Sequence, residues 1–198
     1  MKIKRKAAIL AMLLTAFLIF GSFMALAQEE DVTTDVDTTD SDNNKTLVIL
    51  GCALAIGIAG IGSAIGLALA GSSAVAVTAE KPELFSKCLI LQVLPMTQSV
   101  YGLLTAILLM MGAGLLGGAS STTVTPLMGM GAIWIGLAVG LTGTSAINQG
   151  MVASSSISAV GRNPDVASRG IIFTVMPETI AIFGLLVAIL LMVGLGLL

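Results

Sequence analysis

Val175-Met176-Pro177-Glu178-Thr179-Ile180-Ala181-Ile182-Phe183-Gly184 sets a single acid inside an apolar run that reaches from Ile171 to the C-terminus. A run of that length reads as a membrane-spanning helix. Glu178 is the one ionisable carboxylate in the chain's mature membrane-length segments. An acid at mid-bilayer costs about 2.5–3.5 kcal/mol on insertion scales, so such residues usually mark an ion or proton path. The alternative is a protonated carboxyl that only hydrogen-bonds a neighbouring helix.

Composition points the same way. The chain is 56% hydrophobic and 10% charged, against about 25% charged in soluble proteins. It contains no histidine, which excludes imidazole metal sites and histidine-based catalysis. Cys52 and Cys88 fall near opposite ends of successive helices, too far apart for a disulfide, and read as small packing residues.

Upstream, Lys2, Lys4, Arg5 and Lys6 precede an apolar run from Ala7 to Ala27 that ends in Ala25-Leu26-Ala27. This reads as a signal peptide over residues 1–27, although the run is also long enough to stay as an uncleaved membrane helix. Residues 28–45 carry seven acids among threonines and are expected to form a disordered extracytoplasmic tail. Asn44-Lys45-Thr46 matches a glycosylation sequon, a weak signal next to the membrane.

Four apolar segments follow, near 46–79, 84–116, 126–160 and 166–198, each longer than the roughly 20 residues a helix needs to span. They give an all-α membrane protein: a first helical hairpin over 46–116, an extracytoplasmic loop over 117–125 and a second hairpin over 126–198. Lys81, Lys87, Arg162 and Arg169 flank the first and third breaks, whereas the second break carries no charge. The positive-inside rule makes those two turns cytoplasmic and the mature termini extracytoplasmic.

The second hairpin copies the first. Sliding the chain by the 82 positions that separate Met96 from Glu178 aligns residues 63–116 with 145–198 without a gap. Gly102-Leu103-Leu104-Thr105-Ala106-Ile107-Leu108-Leu109-Met110 then meets Gly184-Leu185-Leu186-Val187-Ala188-Ile189-Leu190-Leu191-Met192. Both copies begin outside, so the duplication is tandem rather than inverted. Pro95-Met96-Thr97 aligns with Pro177-Glu178-Thr179, so the first copy has methionine where the second has the acid. Each proline removes one helical hydrogen bond and frees the carbonyl four residues earlier, at Leu91 and Phe173.

The odd helices are crowded with glycine, alanine and serine, the even ones with leucine, isoleucine and methionine. Small residues favour close helix contact and bulky aliphatics can face lipid. This predicts small helices inside and bulky ones outside. A glycine face too long for one chain to cover would close as a ring of copies.

The polar residues expected at mid-membrane are Thr97, Gln98, Tyr101, Asn148, Gln149 and Thr179. Gln149 lies 14 residues before Asn163 and Glu178 lies 15 after it, so both sit about 20 Å from the turn. The repeat shift brings Thr97 and Gln98 to that level. Gln98 and Tyr101 can share a helix face. A carboxylate, two amide oxygens, a hydroxyl and a backbone carbonyl are hard donors suited to a small cation. Amides also hydrogen-bond a protonated carboxyl, so Na⁺ and H⁺ both stay open.

The tandem hairpins, the glycine-rich odd helices and the Pro177–Gly184 motif resemble the proteolipid rotor subunits of V/A-type rotary ATPases, the family of subunit K. Leu94-Pro95-Met96-Thr97-Gln98-Ser99-Val100-Tyr101-Gly102 is similar to the stretch that surrounds the acid in its sodium-translocating members. The resemblance covers 46–198 and implies ion-binding roles: the Leu94 carbonyl, the Thr97 hydroxyl, the Gln98 and Gln149 amide oxygens and the Glu178 carboxylate as ligands, with Tyr101 locking Glu178. It implies no ATP site in this chain and no cofactor beyond transported Na⁺ or H⁺. The implied partners are further copies in a homo-oligomeric ring, a stator subunit bearing an arginine, central-stalk subunits at the cytoplasmic loops, and plasma-membrane lipid, with no nucleic acid. Competing readings are a small ion-coupled exporter, for which the chain is poor in aromatics, and a structural pore-lining oligomer.

Overall fold

The computed structural model describes residues 39–116 and 123–198, and every element in them is helical. The expected signal peptide lies outside the described residues, as do most of the acidic tail and of the 117–125 loop.

The first helix, α1 (Thr39–Glu80), runs unbroken for 42 residues, about 63 Å at 1.5 Å per residue. It starts earlier than the boundary at residue 46, taking in the end of the stretch expected to be a disordered tail. The side chain of Asn44 explains the extension: it is buried and its amide donates to the Val124 carbonyl at 2.9 Å, tying this turn to the chain that enters the second hairpin. After a 3₁₀ turn at Pro82–Leu84 the chain returns through α2 (Phe85–Val93) and α3 (Thr97–Gly112). The second hairpin comprises α4 (Pro126–Gly143) and α5 (Ser145–Arg162), a 3₁₀ turn at Pro164–Val166, then α6 (Ala167–Val175) and α7 (Glu178–Gly194). These elements stack into four rods long and apolar enough to cross a membrane: Asp42–Glu80, Pro82–Gly112, Pro126–Arg162 and Pro164–Gly194.

Each end of a rod follows from local chemistry. The Thr125 side chain caps α4 by accepting from the Met128 N–H, with Pro126 in the first helical position, where its missing N–H costs nothing. Two residues past the ends of α3 and α7 stand Gly114 and Gly196, equivalent positions of the repeat, with φ of 68° and 70°. The N–H of the next residue then reaches back, Leu115 to Met110 O at 2.8 Å and Leu197 to Met192 O at 2.9 Å. At the opposite end Lys81 Nζ donates to the Gly161 carbonyl at 2.7 Å and Lys87 Nζ to Pro164 O at 3.1 Å. The two basic turns therefore share one end of the bundle.

α1 packs against α4 and α5 through glycine. A Cβ on Gly51 would collide with the Ala132 carbonyl, one on Gly136 with the Gly51 carbonyl, and one on Gly150 with the backbone of Gly66. Such contact lets two backbones touch where lipid supplies no hydrophobic drive. The bulky residues of α3 and α7, among them Leu103, Ile107, Leu186 and Leu190, are exposed. The expectation that one chain could not satisfy the glycine face needs correction. Most of that face is buried between the two hairpins of a single chain. Gly57 and Gly60 are the α1 glycines with nothing within 4 Å.

Candidate functional site

Pro95 and Pro177 each break their rod at mid-length. The first break is a 3₁₀ turn over Leu94–Met96; at the second, α6 ends at Val175 and α7 begins at Glu178. In both, a threonine hydroxyl donates to a nearby carbonyl: Thr97 to Leu94 O at 3.0 Å and Thr179 to Met176 O at 2.9 Å. The local backbone is thus duplicated, and what differs is the side chain at 96 or 178. Met96 is exposed, whereas Glu178 is buried, 8% exposed.

Around Glu178 a continuous hydrogen-bond chain links the two hairpins. The Tyr101 hydroxyl donates to Oε1 at 2.7 Å. The Gln149 amide donates to Oε2 at 3.3 Å and accepts in turn from Gln98 Nε2. The Thr97 hydroxyl lies 3.2 Å from Gln98 Oε1 as well as beside the Leu94 carbonyl. Gln98 and Gln149 are both 0% exposed, and two fully buried amides are tolerated because each finds partners. Leu94, Thr97, Gln98, Tyr101, Gln149 and Glu178 are therefore brought together, supplied by α3 and its preceding turn, α5 and α7.

The cluster sits between two apolar cores. One, including Val48, Leu109, Ile135 and Met192, fills the half toward the chain ends; the other, including Leu91, Cys88, Ile157 and Val160, fills the half toward the basic turns. Cys52 and Cys88 are buried and free, as packing residues should be.

Two expected polar residues stand apart. Asn148 is exposed, since it points away from Gln149 on the same helix, and the exposed Thr179 spends its hydroxyl on its own turn. Sequence reasoning missed Ser145, at the start of α5 one turn from Gln149, whose buried hydroxyl has no partner among the described residues. Its repeat equivalent Ser63 accepts from the Ser99 N–H at 3.1 Å. The matched Ser63-Ala64-Ile65 and Ser145-Ala146-Ile147 triplets were the available signal.

The family of the ATP synthase C subunit matches residues 50–109 and again 133–191, one match per hairpin. The chain belongs to that family. Among similar proteins, the A-type ATP synthase subunit K of Methanocaldococcus jannaschii is 47% identical over 70% of this chain; the match spans 60% of that protein's own length. The V-type sodium ATPase subunit K of Enterococcus hirae is 37% identical over 77% of this chain and 94% of its own. The 16 kDa proteolipid of the V-type proton ATPase of Nephrops norvegicus is 32% identical over 72% of this chain and 87% of its own. The chain is thus a multi-pass membrane proteolipid of the V/A-type ATPase kind, a subunit of an oligomeric ring.

Proposed function

We propose that Glu178 is the ion carrier of this rotor subunit, loading and releasing Na⁺ or H⁺ as the ring turns. The single observation behind this reading is the placement of one carboxylate, buried at the helix breaks, within an unbroken run of oxygen-bearing side chains. A bare carboxylate crosses hydrocarbon at high cost, while a neutralised one crosses far more cheaply. Neutralisation by the ion is then what lets the ring carry Glu178 through lipid.

The donor set suits Na⁺: the Glu178 carboxylate, the Thr97 hydroxyl, the Leu94 carbonyl and the amide oxygens of Gln98 and Gln149 are all hard ligands. Gln149 turns its N–H to Glu178. To hold Na⁺ it would present Oε1 instead, a rotation about its last torsion that also releases Gln98 to do the same. Tyr101 could stay on Oε1 throughout and lock the loaded acid. A relative named as a sodium ATPase subunit supports this choice, and relatives named as proton ATPase subunits keep H⁺ as the second reading.

In operation, a half-channel in a stator subunit would load Glu178 and a stator arginine would displace the ion into the other half-channel. Each charge moved against 100 mV is worth about 2.3 kcal/mol. The turns at Lys81 and Arg162 would face the cytoplasm of a plasma-membrane enzyme and meet the central stalk there. Labelling with a hydrophobic carbodiimide tests the reading: Glu178 should react, and Na⁺ should protect it. Labelling that misses Glu178 overturns the carrier role; labelling indifferent to Na⁺ but suppressed at high pH selects H⁺.

A further inference from the structure

The Ser145 hydroxyl is the one buried polar side-chain atom without a hydrogen-bond partner among the described residues. The residue is 7% exposed and opens α5, four positions before Gln149. Residues four apart on a helix lie one above the other, with about 5–6 Å between their Cβ atoms. Long helical side chains also lean toward the helix N-terminus, which brings the Gln149 amide over Ser145 rather than away from it.

The first hairpin treats the same serine differently. There Ser63 is buried and accepts from the Ser99 N–H at 3.1 Å. Four positions on stands Leu67, which has no polar group to place. In the second hairpin the counterpart of Ser99 is Ala181, whose N–H makes no bond to Ser145. The hairpin whose long helix carries an amide is thus the one whose serine is left open. A buried hydroxyl without a partner is costly, and it calls for a state of the molecule in which the oxygen is used.

Gln149 supplies that state. Its amide N–H lies on Glu178 and its oxygen accepts from Gln98. When Oε1 turns to Na⁺, the N–H₂ group leaves the carboxylate and needs another acceptor, because a buried amide donor is rarely left unpaired. The Leu94 carbonyl, the Thr97 hydroxyl and the Gln98 oxygen are then committed to the ion, and the carboxylate to the ion and Tyr101. The Ser145 hydroxyl is the oxygen still open. We propose that Ser145 is a positioning residue for the loaded site: its hydroxyl accepts from Gln149 Nε2 once Gln149 Oε1 has turned to Na⁺, and so holds the amide in its ligating orientation. Ser145 acts through Gln149 and does not touch the ion.

This role rests on the reading of Glu178 as a sodium carrier. The test is ²²Na⁺ binding to purified rings, with thermal dissociation followed in buffer with and without Na⁺. Ser145→Ala should weaken Na⁺ affinity about fivefold, the worth of one ordinary hydrogen bond. Without Na⁺ the variant ring should dissociate at no lower temperature than the unaltered ring, because alanine leaves no hydroxyl unpaired. In a Gln149→Ala background the same substitution should change Na⁺ affinity no further, since the amide it holds is gone. Unchanged affinity in Ser145→Ala, where the unaltered ring binds Na⁺, overturns the positioning role and leaves the carrier reading intact. A fivefold loss that persists in the Gln149→Ala background also overturns it and makes Ser145 a direct ligand. Earlier dissociation of the Ser145→Ala ring in Na⁺-free buffer overturns it in favour of plain packing. An unaltered ring that binds no ²²Na⁺ defeats the sodium reading and takes this role with it.

Discussion

The Tyr101 hydroxyl and Glu178 Oε1 meet at 2.7 Å, although they belong to different hairpins and lie 77 residues apart in the chain. This bond ties the acid to the rod opposite and orients it toward Gln149. A hydrogen bond to a charged group is worth about 1.5–3 kcal/mol. Tyr101→Phe should therefore weaken ion retention about tenfold or more while leaving the fold in place, since Phe183 already occupies the equivalent position of the other hairpin. Binding of ²²Na⁺ to purified rings measures it. An unchanged affinity would mean the tyrosine contributes only packing.

Glu178→Gln should abolish both carbodiimide labelling and ATP-driven transport while the ring still assembles. Glutamine keeps the shape and can still accept from Tyr101, so the loss would be chemical rather than structural. Transport into vesicles at the normal pace would end the carrier proposal.

Gln149 touches the carboxylate directly, whereas Gln98 reaches it through Gln149. Gln149→Ala should accordingly cost more Na⁺ affinity than Gln98→Ala, and the double variant should lose less than the product of the two, because the residues act as one chain. If Glu178 carries Na⁺ as proposed, protons would compete for the same oxygens. Protection by a fixed Na⁺ concentration should therefore weaken as pH falls, and should be lost at a higher pH in Gln149→Ala. Titrating carbodiimide labelling against Na⁺ at several pH values reads both effects.

Much of this was legible in the sequence, for identifiable reasons. Counting from the turn placed Gln149 level with Glu178 because both rods are regular helices of known rise, and the gapless repeat carried Thr97 and Gln98 to the same level. The paired prolines announced the mid-rod breaks. Helical spacing could not say which side of α5 faces α7, so Asn148 stayed among the polar residues expected at mid-membrane although the level count was made for Gln149. It could not show that Gly51, Gly66, Gly136 and Gly150 are satisfied within one chain, because tandem and neighbouring copies present the same pattern. Nor did composition reveal that α1 reaches back to Thr39: an acidic, threonine-rich stretch reads as a tail unless the bond from Asn44 to the Val124 carbonyl is known.

That bond has its own consequence. Asn44 is buried and its amide is committed, so the sequon it opens should not be glycosylated while the hairpins are packed together. Asn44→Ala would leave the Val124 carbonyl without its donor, a loss of about 1–3 kcal/mol if the site stays dry. Faster hydrogen exchange confined to the first turns of α1 and to the start of α4 is the expected result. Exchange that rises across the whole bundle would instead mean that this contact controls global stability.

The crossing of Gly66 and Gly150 sets a stricter demand, since a Cβ on either residue would strike the facing backbone rather than a side chain that could turn away. Backbone cannot yield locally, so Gly150→Val should push α5 from α1 and carry Gln149, its neighbour on the same helix, away from Glu178. Overpacking of this kind costs about 1–3 kcal/mol, and the displacement should lower ion affinity together with thermal stability. Gly194→Ala is the contrast: nothing lies within 4 Å of its added methyl, and alanine favours helix over glycine by up to about 1 kcal/mol. Thermal dissociation of the ring, followed beside ²²Na⁺ binding, should fall on both counts for Gly150→Val and on neither for Gly194→Ala. Loss of stability without loss of binding in Gly150→Val would show that the site is held by the hydrogen-bond chain alone and not by the glycine crossing beside it.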